Sequence, residues 1–125
     1  MADYLTNRDI KTTNVLLDSN WRAKLCDFSF AIHVESMVRS EYIYGTDEFM
    51  APEVALGELF DCQADIFSFG VLLAEVITER EPDKHFLHRK AQTLFSLDVD
   101  ELHSVRLLHA CVSDTAQIMM HAGGA

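Results

Sequence analysis

The stretch whose reading decides the fold runs Asn7-Arg8-Asp9-Ile10-Lys11-Thr12-Thr13-Asn14, then Val15-Leu16-Leu17, Asp18-Ser19-Asn20, Arg22-Ala23-Lys24-Leu25-Cys26 and finally Asp27-Phe28-Ser29. Two short runs of strand character separated by a cluster of turn residues predict a small β-hairpin. Polar residues stand at both of its ends. A hairpin returns its ends to one place, so Asp9, Asn14 and Asp27 are expected close together in space, with Lys11 between the first two.

Two carboxylates and an amide oxygen suit Mg²⁺. That ion keeps several waters and takes only one or two ligands from protein when a nucleotide's phosphates supply the rest. Lys11 would then neutralise a phosphate in transfer. On the residues alone the ordinary alternative also stands, because Asp and Asn are common in turns beside hairpins.

Outward from the hairpin, residues 30–49 hold no sustained period and carry many hydroxyls, Ser36, Ser40, Tyr42, Tyr44 and Thr46 among them. This reads as a long loop, of a length that is usually functional or disordered. Ala51-Pro52-Glu53-Val54 opens a short helix that Gly57 ends. A stronger helix is expected from Ile66 to Thr78, with Asp65 as its N-cap and apolar residues all round it, which places it inside a core. After Glu79–Asp83 the pattern breaks into loop and short helix. Leu102, Val105, Leu108 and Val112 then predict an amphipathic helix over 100–112, and residues 119–125 read as a frayed tail.

The 125 residues fit one domain or part of one, and 49% apolar with 24% charged residues describes a folded chain. A net charge of −10 disfavours nucleic acid and anionic membrane as partners. Cys26, Cys62 and Cys111 are odd in number and unpatterned, so they read as small buried hydrophobes in a reducing compartment. The opening residues lack the features of a secretion signal, and no run is long enough to span a membrane; the expectation is a cytoplasmic protein. The basic cluster of Lys84, His85, His88, Arg89 and Lys90 reads as a solvated face.

The string from Asn7 to Asn14 resembles the catalytic loop of protein kinases, Asp27-Phe28-Ser29 resembles their metal-binding DFG motif, and Ala51-Pro52-Glu53 matches their APE motif, in the family's order. Asp65-Ile66-Phe67-Ser68-Phe69-Gly70 is similar to the opening of that fold's central helix, so the likeness runs from about Tyr4 to Val112. The resemblance implies an α+β, protein-kinase-like fold. It would comprise a mainly helical C-lobe with a small hairpin over residues 1–118, without the N-lobe.

It further implies that Asp9 accepts the substrate hydroxyl proton, that Asn14 and Asp27 hold Mg²⁺ on ATP, and that Lys11 touches the γ-phosphate. Lys11 and Thr46 resemble the serine/threonine pattern, which makes a protein with serine or threonine the implied substrate. The stretches 45–53 and 95–102 look most like the tyrosine-kinase-like branch, near the LIM-kinase and testis-specific-kinase relatives. Arg8 resembles the arginine that grips a phosphorylated loop, with Ser36 or Ser40 as the phosphate carrier.

The departures are specific. Asn7 stands in place of histidine, and Ser29 in place of a glycine that takes positive φ more freely. Tyr4-Leu5-Thr6 looks like the end of the helix before the catalytic loop. Ala110-Cys111-Val112-Ser113 resembles the family's final helices, but no arginine follows it to pair with Glu53, which leaves Arg80 or Arg106 to substitute. Nothing resembles the glycine-rich loop or the ATP-anchoring lysine, so the alternative function is a catalytically inactive, pseudokinase-like binding module.

Overall fold

Asp18 closes the predicted hairpin with its own carboxylate. Its Oδ1 accepts the amides of Asn20 (2.8 Å) and Arg22 (3.0 Å), and its Oδ2 pairs with Arg22 Nε (3.0 Å) and Lys24 Nζ (3.4 Å). The side chain thereby does locally what a backbone turn bond would do. In the computed structural model, which describes residues 4–35, 37–98 and 100–101, strand β2 (Val15–Leu17) pairs antiparallel with β3 (Ala23–Leu25), Val15 opposite Leu25. Their register puts Val15 and Leu17 on one face and Leu16 on the other, and both Leu16 and Leu17 are exposed.

A second ribbon was not foreseen. Strand β1 (Tyr4–Thr6) pairs antiparallel with β4 (Ile32–Val34), so Tyr4-Leu5-Thr6 is not the end of a helix, and the predicted loop of 30–49 contains a strand. Three residues are too few to repay helix nucleation, whereas a partner strand satisfies their backbone at once. Thr6 and Val34 are both buried there. Further along the loop, Val38 and Phe60 exchange two backbone hydrogen bonds of 2.8 Å.

Helix α1 (Pro52–Ala55) carries proline in its first turn and Glu53 beside it, as expected, and Gly57 follows it at φ 68. Helix α2 (Gln63–Thr78) starts earlier than expected, after Cys62, and the Asp61 carboxylate takes the Gln63 amide at 2.8 Å. Asp65 lies within the first turn and is not the cap of its own helix. Nor is α2 wrapped on all sides. Ala64, Phe67, Val71, Leu72 and Ala74 face the core with Phe49, Met50, Val54, Phe60, Phe86 and Leu87, while Ile66, Phe69 and Val76 are exposed. Each large side chain buried in that cluster contributes about 1.5–3 kcal/mol.

Beyond α2 the chain turns at Glu79 (φ 53) and runs to a single 3₁₀ turn, Ala91–Thr93, which agrees with loop and short helix. Cys26 and Cys62 are free but half-buried, not the fully buried hydrophobes expected. The amphipathic helix beyond Glu101, the tail, Ser36 and Cys111 lie outside the described residues. Among those described, no helix is long and apolar enough to cross a membrane.

Candidate active site

Arg8 adopts φ 74, a left-handed conformation that costs roughly 1–2 kcal/mol for a residue with a Cβ. The Asp65 carboxylate, projecting from the first turn of α2, offsets that strain. Its Oδ2 accepts the Asn7 amide at 2.6 Å and its Oδ1 the Arg8 amide at 2.9 Å. Burial raises the Asp65 pKa from its ordinary value, opposed by those two amides and by the Arg8 charge.

Asn7 stitches the two halves of the site together. Its Oδ1 accepts the Asp9 amide at 3.0 Å, and its Nδ2 donates to the Asp27 carbonyl at 3.1 Å. The hairpin adds a second tie, because the Cys26 amide donates to the Asn14 carbonyl at 2.8 Å. Asn14 in turn donates Nδ2 to the Asp9 carbonyl (2.9 Å) and to Asp9 Oδ2 (3.1 Å). Asp9 and Asn14 are buried, while Asp27 is exposed.

Lys11 Nζ lies 3.1 Å from Asp9 Oδ2 and donates to Thr46 Oγ1 at 2.7 Å, and Thr46 Oγ1 donates to Asp9 Oδ1 at 2.7 Å. Both oxygens of this buried carboxylate are therefore engaged by neighbouring side chains. The structure thus gathers Asp9, Lys11 and Asn14 in direct contact, with Asp27 joined to them through Asn7 and Cys26. Ser29 lowers the Asp27 pKa by donating its hydroxyl and its amide to the carboxylate, and the Lys11 charge adds to this.

Asn14 and Asp27 each keep a side-chain oxygen of the hard kind that a small divalent cation takes. Asn14 spends its Nδ2 on Asp9, leaving its amide oxygen, and Asp27 Oδ2 accepts nothing from the described residues. No group of three or more His, Cys, Asp or Glu that could hold a metal ion occurs among the described residues.

Several positioning residues were not read from the sequence in this role. The pattern around Asp65 predicts a helix cap, and nothing in its neighbourhood signals a partner 57 residues away. Gly45, at φ 120, lies so close to the segment 7–14 that a Cβ there would sit 2.5 Å from the Arg8 carbonyl oxygen; its place between Tyr44 and Thr46 is the available signal. Thr12 Oγ1 donates to Glu75 Oε2 of α2 at 2.7 Å, a second tie from that helix. Among the described residues the cation that acts on Glu53 is Arg89, not Arg80, and Arg106 lies outside them. Arg89 lowers the Glu53 pKa against a larger upward push from burial, while Glu53 Oε2 and Arg89 Nη2 each remain buried without a hydrogen bond. Burial also pulls the Arg89 guanidinium down to about 10.

The geometry is matched by similarity over nearly the whole chain. The family model for the protein kinase domain matches residues 3–121. The chain belongs to the protein kinase domain family. This kinase domain sequence is 37% identical over 119 residues, 94% of the chain, to the RasGEF domain-containing serine/threonine-protein kinase X of Dictyostelium discoideum. It is 44% identical over 105 residues, 82% of the chain, to a second serine/threonine-protein kinase so named as probable in that organism. The chain spans only 12% and 24% of the lengths of these two relatives.

Proposed function

We propose that this chain supplies the catalytic-loop side of a protein serine/threonine kinase, which transfers the γ-phosphoryl group of ATP to hydroxyls of a protein substrate. The arrangement of Asp9, Lys11 and Thr46 carries the reading: a buried carboxylate held between an ammonium and a hydroxyl. Asp9 would accept the proton of the incoming hydroxyl as the new oxygen–phosphorus bond forms and the bond to the ADP oxygen breaks. Lys11 would leave Asp9 for the γ-phosphate. Asn14 and Asp27 would hold Mg²⁺, which would supply the positive charge that offsets the phosphate groups.

The described residues are assigned to the large lobe of a tyrosine-kinase-like domain, supported by stretches 45–53 and 95–102. Exposed Leu16, Leu17, Trp21 and Phe28, spread over both faces of the hairpin and its flanks, support a further chain segment or lobe packed around it. A cytoplasmic setting is supported by free Cys26 and Cys62. That same exposed ribbon favours the second reading, a pseudokinase-like module that binds partners without catalysis.

The test is Mg²⁺-dependent ATP binding by the full chain, with phosphoryl transfer to a generic protein substrate measured alongside. Binding that Asp27→Asn abolishes, with transfer that Asp9→Asn abolishes while binding remains, is the expected result. Binding without transfer selects the pseudokinase module. No binding by the wild-type chain overturns both.

A further inference from the structure

The Asp27 carboxylate is tied asymmetrically. Ser29 reaches back to it twice, through its amide at 3.1 Å and its hydroxyl at 2.7 Å, and both bonds end on the same oxygen, Oδ1. An ionised carboxylate oxygen offers two lone-pair directions, so Oδ1 is filled by Ser29 alone. The Asp27 backbone is held separately, its carbonyl accepting from Asn7 Nδ2, while the two Ser29 bonds set the orientation of the carboxylate. Positive φ falls on Asp27 (φ 61) and not on Ser29, so the serine holds this clasp without the strain that its place in the motif suggested.

We infer that Ser29 makes Asp27 a one-oxygen ligand and so tilts the site toward Mg²⁺ and away from Ca²⁺. This rests on the reading that Asp27 holds a cation. Ca²⁺ takes carboxylates through both oxygens in flexible shells of six to eight ligands, whereas Mg²⁺ demands a near-octahedral shell of short single-oxygen bonds. A glycine or alanine at this position would keep only the amide bond and return one lone pair of Oδ1. The carboxylate could then close on a larger ion with both oxygens. Ser29 is a positioning residue here: it acts on the cation only through Asp27.

Amide NMR of the full chain, titrated with Mg²⁺ or Ca²⁺ alone and followed at residues 26–29, reads both affinities even when they are weak. Ser29→Ala and Ser29→Gly are expected to lower the Mg²⁺-to-Ca²⁺ affinity ratio by roughly two- to fivefold, the worth of one exposed hydrogen bond, while Ser29→Thr keeps the wild-type ratio. A purely structural role would change both affinities together. Wild-type binding with an unchanged ratio in Ser29→Ala overturns the inference and leaves the metal-holding reading standing. No response of these amides to either ion in the wild-type chain removes the metal-holding reading, and this inference with it.

Discussion

Asp65 on α2 holds the amide of Arg8 at 2.9 Å, across 57 residues of sequence, and so fixes the left-handed backbone next to Asp9. The same carboxylate takes the Asn7 amide at 2.6 Å. Removing it leaves two amides without acceptors in a part-buried place. Asp65→Ala is therefore expected to destabilise the chain by about 2–4 kcal/mol, and Asp65→Asn by less because one acceptor remains. Urea unfolding of the two variants beside wild type checks the order and the size.

The same residue sets a pH dependence. Burial raises its folded pKa above the unfolded value, so the folded state holds the proton more readily. Its contribution to stability is then fullest below the unfolded pKa of about 4 and declines as pH rises through the raised folded value. The difference in urea midpoint between wild type and Asp65→Asn should shrink across that window and level off above it. A difference that grows with pH would contradict the assignment.

Gly45 and Gly57 both adopt positive φ, 120 and 68, but only the first has a neighbour. An added Cβ at 45 meets the Arg8 carbonyl oxygen at 2.5 Å, while at 57 nothing lies within 4 Å. Gly57→Ala should cost about 1 kcal/mol from backbone conformation alone. Gly45→Ala should cost about 2 kcal/mol or more and also pull Thr46 from Asp9. Thermal melts of both variants, with NMR of the Thr46 amide, separate the two effects.

Thr12 and Glu75 join the segment 7–14 to the last turn of α2 at 2.7 Å. Thr12→Val keeps the shape and removes the donor. A loss of about 1–2 kcal/mol is expected, because the acceptor is charged and only partly exposed. Glu75→Gln, which keeps an acceptor, should cost less in the same unfolding experiment.

Arg8 Nη2 lies 3.3 Å from Ser40 Oγ, its Nε is buried without a partner, and its guanidinium stacks on Tyr44 at 4.9 Å. Burial lowers its pKa, with Tyr44 and Asp65 opposing. A phosphate on Ser40 would add charge and acceptors beside a cation that lacks them. Chain phosphorylated at Ser40 is expected to melt higher than unmodified chain, and Arg8→Gln should erase that gain. An equal gain in Arg8→Gln would place the effect elsewhere.

The sequence by itself determined the β2–β3 hairpin and, through it, the grouping of Asp9, Lys11, Asn14 and Asp27. These features rest on turn chemistry and side-chain pattern within a window of about two dozen residues, where local physics rules. The short helix at Pro52 and the apolar content of α2 were legible for the same reason. Tertiary structure alone decided that Tyr4–Thr6 pairs with Ile32–Val34, that Asp65 serves a distant loop and not its own helix, and that Arg89 stands near Glu53. A three-residue strand, a carboxylate seeking amides and a buried ion carry no local preference strong enough to name a partner. Their partners are set by what the packed core brings within hydrogen-bonding reach.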